Sequence, residues 1–192
     1  MPKPGNHSRP QPAPLTAPVI ASDRVPGNAS GARLTEDQLW QLLDEVKDPE
    51  VPVVSVVELG IVRQLGWQDE HLWVDVTPTY SGCPATELIE EQIAAALMQA
   101  GIREPLVRRV LTPAWTTDWI SESGRNKLRE YGIAPPQGSA SKMSLLGMDE
   151  VITCPHCGSL HTERVSEFGS TACKALYRCT DCLEPFDYFK CI

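Results

Sequence analysis

The sequence predicts an α+β chain: a small α-β-β-α-β two-layer sandwich followed by a C-terminal β ribbon closed around a metal ion. Three observations carry this. Apolar residues recur at helical spacing in two stretches and alternate between polar ones in the segments around them. Six of the seven cysteines crowd between Cys154 and Cys191. Residues 1–33 hold seven prolines among Ser, Gly, Ala and Asn, a composition that cannot bury enough apolar surface to offset its ordering entropy. The expected organisation is a disordered arm at 1–33, an α+β domain at 34–134, a linker at 135–148 and a four-cysteine zinc ribbon at 149–192.

The first helix follows Leu34. Thr35 is a good N-cap and Gln38 completes a capping box. Leu39, Leu42, Leu43 and Val46 then lie on one face, widened by Trp40, and Pro49 is expected to end the helix. A loop over Val51–Gly60 leads to a strand at Ile61–Leu65. Gly66–Glu70 reads as a turn, and Leu72, Val74 and Val76 alternate with polar neighbours in a second strand, so the two form an antiparallel hairpin. The loop Thr77–Pro84 precedes a second helix, with Pro84 at its first position, early Glu87, Glu90 and Glu91 complementing the dipole, and Gly101 as C′ residue. Its apolar face is Leu88, Ile89, Ile93, Ala96, Leu97 and Ala100. Leu106–Leu111 is a third strand, and a short helix with Arg125, Leu128 and Arg129 follows Ser121 and ends before Gly132.

In the tail, Cys154-Pro155-His156-Cys157 and Cys179-Thr180-Asp181-Cys182 are two C-x-x-C pairs separated by 21 residues. Each pair can turn two thiolates toward one ion, and two pairs complete the tetrahedral set that Zn²⁺ accepts. The closed shell points to a structural zinc, with an iron–sulfur centre as the alternative. Strands are expected at Thr162–Val165, at Ala175–Tyr177 and around Phe186–Phe189. A module this small needs the metal for stability. His156 and His161 lie nearby, but the pairs are complete without them. Cys173 and Cys191 remain as additional thiols, either buried small residues of the ribbon or a second thiol site.

Cys83 stands apart. It lies just before a helix N-terminus, where amide donors and the dipole stabilise a thiolate. It is either a reactive or metal-binding thiol or one that merely packs. Asp48, Glu50 and Glu58 lie in loops, where acids commonly cap turns. No Ser-His-Asp set, phosphate loop or catalytic carboxylate pair is visible, and Cys83 has no evident base partner, so the chain is not expected to be catalytic on its own. The net charge of −8 argues against nucleic acid and against anionic membrane. The longest mid-chain apolar run, Ile93–Met98, is too short to span a bilayer. With no apolar leader, the expected location is the cytoplasm, whose reducing conditions favour metal-bound over disulfide-bonded cysteines.

Two segments, Asp48–Val62 (DPEVPVVSVVELGIV) and Thr77–Pro84 (TPTYSGCP), resemble the signatures of the MIP18-type family of iron–sulfur assembly factors, which includes the SufT-like proteins. Pro113–Trp119 (PAWTTDW), Gly132–Pro136 (GIAPP), Phe168–Lys174 (FGSTACK) and Glu184–Cys191 (EPFDYFKC) resemble more narrowly the PaaD (PaaJ) family of aerobic phenylacetate degradation. The resemblance implies an accessory role beside the multicomponent phenylacetyl-CoA 1,2-epoxidase, in insertion of iron or an iron–sulfur cluster. It implies as partners the epoxidase components, above all the iron–sulfur reductase subunit, and general iron–sulfur assembly proteins. The alternative is a structural subunit of the epoxidase complex. Cys83 matches the family's reactive cysteine, and Asp48 and Glu50 match its Asp-Pro-Glu motif. Glu58 stands where the wider family often has Asp, so its side chain is one methylene longer. Together these residues are the candidates for handling transient iron or a cluster.

Overall fold

The computed structural model describes residues 33–136 and 152–190. All but the last residue of the expected arm, most of the expected linker and Cys191 lie outside the described residues. The mixed α and β architecture matches the expected fold class. None of the described helices is long and apolar enough to cross a membrane.

Helix α1 spans Glu36–Asp44. Its capping box forms as expected: the Gln38 N–H donates to Thr35 Oγ1 at 3.3 Å, and the Thr35 N–H donates to Gln38 Oε1 at 2.9 Å. Leu39 and Leu43 are fully buried. The helix stops well before Pro49. Ser55 hydrogen-bonds the Asp44 carboxylate, and Lys47 bridges Ser55 antiparallel, so the chain leaves the helix to pair with the loop that follows. Tertiary pairing, not proline, ends this helix.

Strands β1 (Val62–Gln68) and β2 (His71–Val76) form the antiparallel hairpin. Gln68 pairs with His71, so the turn shrinks to Asp69-Glu70, and Asp69 takes a positive φ of 53°. Gly66, expected in the turn, instead lies in β1 opposite Trp73, where a Cβ would come within 2.9 Å of the indole. Helix α2 runs Thr86–Gln99 and starts two residues after Pro84. Ile89, Ile93 and Leu97 face the core, while Leu88 and Ala100 point outward. Strand β3 (Leu106–Arg109) returns parallel to β2, giving the order β1-β2-β3. The two arginines that interrupt its apolar pattern are both engaged. Arg108 makes a bidentate pair with the buried Asp75 (2.6 and 2.9 Å), and Arg109 makes one with Glu90 (2.7 and 2.9 Å).

Helix α3 (Glu122–Glu130) starts at its Ser121 cap and gives way to Gly132 with φ 88°. Strand β4 (Ile133–Ala134) was not anticipated. It pairs in parallel with β7 (Pro185–Phe189) at the edge of a second sheet, ordered β4-β7-β6-β5, with β5 at Thr162–Ser166 and β6 at Lys174–Cys179. Two residues preceding the expected linker thus complete the sheet of the cysteine-rich tail. The larger apolar core also crosses this line. It gathers Leu39, Val54, Leu72, Ile93 and Leu128 together with Cys173 and Phe189. Trp115 packs its ring 6.2 Å from that of Phe189 and donates its N–H to the Leu59 carbonyl at 2.9 Å.

Candidate functional site

Two thiol constellations stand in different settings. The first is built on the paired turns of the tail. The N–H of Cys154 donates to the carbonyl of Ser159 at 2.9 Å, and the N–H of Cys179 donates to that of Glu184 at 3.0 Å, so the two knuckles share one backbone pattern. Each requires a left-handed residue just after its second cysteine. Gly158 (φ 75°) meets that need without strain, whereas Leu183 (φ 67°) fills it with a branched side chain. The Sγ atoms of Cys154, Cys157, Cys179 and Cys182 all lie within 4.8 Å of one another. Cys154 and Cys182 are 3.8 Å apart, and Cys157 and Cys179 are 3.6 Å apart. A tetrahedral ion with Zn–S bonds of about 2.3 Å would hold its sulfurs about 3.8 Å apart, so the donor set fits zinc.

The four thiols strongly perturb one another's ionisation. The N–H of Cys182 points at the Cys179 sulfur at 3.5 Å, and such amide bonds lower that thiol to about 6. Cys157 accepts an amide bond from Ser159, yet desolvation and the other three sulfurs push it up to about 12. Sulfurs this close cannot all be anionic unless an ion sits among them. Neither histidine joins them: His161 pairs with Asp181 at 3.1 Å, and His156 packs edge-on against Phe186.

The second constellation is a small, partly open pocket lined by Asp48, Glu50, Cys83 and Cys173 together with Leu59, Ile61, Val76 and Phe189. Cys83 is half-buried, held by its N–H bond to the Tyr80 carbonyl at 3.1 Å. Its own carbonyl accepts the Thr86 N–H at 3.2 Å and hydroxyl at 2.8 Å, which fixes the turn entering α2. Asp48 Oδ1 accepts the N–H groups of Glu50 (2.9 Å) and Val51 (2.8 Å), so the Asp-Pro-Glu motif is a closed turn that aims Glu50 at the pocket. Burial raises the Asp48 carboxyl above its ordinary value, against the lowering effect of those two amides. The Tyr80 hydroxyl is pushed up to about 12 by burial and by Cys83, Glu50 and Cys173 around it.

The structure therefore brings together three of the four expected residues, Cys83, Asp48 and Glu50. Glu58 is engaged elsewhere. Its Oε2 accepts the Ser55 N–H at 3.0 Å, and its Oε1 takes the Ser123 hydroxyl at 2.7 Å and Lys127 Nζ at 2.6 Å. Although desolvation acts the other way, these bonds leave the Glu58 carboxyl below its ordinary value. It fastens the loop before β1 to α3, which approaches closely because Gly124 has no Cβ to meet the Glu58 backbone.

Sequence reasoning missed the placement of Cys173. This thiol is 4% exposed and belongs to the larger core, not to that of the ribbon. Its Sγ lies 3.0 Å from Thr171 Oγ1 and 3.7 Å from Glu50 Oε2. Burial raises it to about 11. One signal was available: Cys173 precedes a strand but falls outside both C-x-x-C pairs.

Two families match separate stretches of this chain. Residues 36–103 match a family described as iron-sulfur cluster assembly protein, and residues 138–190 match the PaaD zinc beta ribbon domain. The chain is 50% identical over 155 residues to an Escherichia coli protein named as a subunit of a "Putative 1,2-phenylacetyl-CoA epoxidase", covering 81% of this chain and 92% of that one. It is 29% identical over 96 residues to a Porphyromonas gingivalis Fe-S protein maturation auxiliary factor, covering 49% of this chain and 90% of the relative. A crystal structure of a domain of unknown function from Bacillus anthracis aligns with a TM-score of 0.46 at 27% identity, over 48% of this chain and 90% of that one.

Proposed function

We propose, from the premise that this chain belongs to the PaaD family, that it is an accessory maturation factor for a phenylacetyl-CoA 1,2-epoxidase with no catalytic step of its own. Cys154, Cys157, Cys179 and Cys182 would hold a structural Zn²⁺, which supplies folding energy to the tail and leaves no coordination position for chemistry. The partly open pocket takes iron or a cluster as cargo, on Cys83 with Asp48 and Glu50. The cargo comes from general iron–sulfur assembly proteins and goes to the epoxidase components, first of all the iron–sulfur reductase subunit. Glu58 shapes the domain and does not touch the cargo. The reducing cytoplasm keeps both thiol sets available.

The observation that carries this reading is the half-buried Cys83 sharing a partly open pocket with two carboxylates, apart from the closed set of four sulfurs. Thiolate and carboxylate together suit iron, and a site that is not closed suits release. In cells carrying Cys83→Ala the reductase should be isolated short of iron, while zinc in this chain stays at one per molecule. Full cluster occupancy in those cells would refute the reading.

The Escherichia coli relative is named as part of the epoxidase, which favours a second reading, a structural subunit of the oxygenase complex. That reading predicts stoichiometric co-purification, and failure of turnover without this chain even when every cluster is preloaded.

A further inference from the structure

The cargo pocket is built from both ends of the chain. Asp48, Glu50 and Cys83 come from the first half, whereas Cys173 comes from the tail, and all four line one cavity. Cys173 is set in place by the second sheet. Its carbonyl accepts the Lys190 N–H at 3.0 Å, and β6 starts at the next residue. Beyond it, the buried Lys174 ammonium is held by Asp187 at 3.3 Å. The far end of β6 is Cys179, one of the four clustered sulfurs. Six residues of extended chain, roughly 20 Å at about 3.3 Å per residue, thus join the closed sulfur set to the pocket thiol.

Resting on the reading of the pocket as a cargo site, we propose that Cys173 is its second thiol ligand, so that a borderline-soft divalent ion such as Fe²⁺ binds between Cys83 and Cys173 with Glu50 beside it. The donor set selects the class of ion. Two sulfurs with carboxylate oxygens disfavour Mg²⁺ and Ca²⁺, which take oxygen donors, and favour iron, cobalt or zinc. Cys173 Sγ already stands 3.7 Å from Glu50 Oε2, on the side of the pocket supplied by the tail. No three pocket donors among the described residues are mutually as close as the ribbon sulfurs, which all fall within 4.8 Å. The ribbon metal then does more than hold the tail in shape, because it sets the strand that presents a cargo ligand.

The test uses the full chain, purified anaerobically with one zinc per molecule, and Co²⁺ as a spectroscopic probe. Thiolate-to-cobalt charge transfer scales with the number of sulfurs bound. Wild type should take up one cobalt with the absorption of two thiolates while keeping its zinc. Cys173→Ser and Cys83→Ser should each show about half that absorption and bind about tenfold or more weakly, and the double variant should show none. Cys173→Ala, a small apolar replacement at a buried position, should match Cys173→Ser and guards against a folding artefact. Unchanged absorption and affinity in both Cys173 variants would overturn the inference and leave the proposed function standing. Absence of a second metal in wild type would overturn both.

Discussion

Gly60 offers the most direct test of how the pocket is framed. It lies at φ +67°, and an added Cβ would sit 2.7 Å from both Cβ and the carbonyl oxygen of Trp119. Its neighbours Leu59 and Ile61 both line the pocket. Gly60→Ala meets two penalties. A left-handed backbone costs a non-glycine residue about 1 kcal/mol, and forcing atoms into a packed contact costs about 1–3 kcal/mol. The sum, about 2–4 kcal/mol, is a large part of the 5–15 kcal/mol that holds a typical domain together. At a urea m-value of about 2 kcal/mol/M, the midpoint of the zinc-loaded chain should fall by about 1–2 M with little change in m. The contacted atoms belong to the Trp119 backbone and Cβ, which Trp119→Ala retains. That second substitution should therefore give no rescue, beyond the separate loss of the Arg63 guanidinium stacked 3.4 Å over the indole. A midpoint shift below about 0.3 M, or rescue by Trp119→Ala, would refute the reasoning.

Three further outcomes are expected. Leu183→Gly relieves the left-handed strain of the second knuckle at a side chain that is 60% exposed, so the zinc-loaded chain should gain up to about 1 kcal/mol, and a lowered melting temperature would contradict this. Phe189→Ala empties a fully buried ring site shared by the core and the tail, so about 3–5 kcal/mol should be lost in one transition. Tryptophan fluorescence and zinc release should report that transition at the same denaturant concentration, and two separate midpoints would argue against a shared core. Asp48 has a folded-state pKa raised above its ordinary 3.8, chiefly by burial, so the folded chain keeps a proton that the unfolded chain gives up. Its contribution is full below 3.8 and is lost as pH rises through the folded value. Asp48→Asn should flatten that part of a plot of urea midpoint against pH, and an unchanged slope would count against the assigned burial.

Features encoded within a few residues were legible in the sequence. Thr35 and Gln38 cap each other across one turn, Ser121 caps α3, and the spacing of each C-x-x-C pair sets its knuckle. Features that depend on distant partners were not. The end of α1 is decided by Ser55, eleven residues beyond Asp44. Arg108 looks like a flaw in a strand until Asp75, on the neighbouring strand, takes its guanidinium. Glu58 sits in a motif with two other acids, yet Lys127 and Ser123 from a later helix claim its oxygens. Cys173 lies among the tail cysteines in sequence but packs with residues more than a hundred positions earlier. In each case the deciding contact is with a residue eleven or more positions away, and local pattern carries no record of what the fold brings near.

The two-residue strand β4 bears on how such a chain can be rearranged. Because Ile133 and Ala134 form the outer strand beside β7, a cut anywhere in the proline-rich stretch after them would strip the tail of its border and expose unpaired amides. A tail grafted onto a foreign carrier would arrive with a raw edge prone to sticking to its own copies. Gene duplication or shuffling that moved the cysteine-rich piece would have to carry these two residues along, so the unit that evolution or an engineer can transplant starts upstream of where the composition changes.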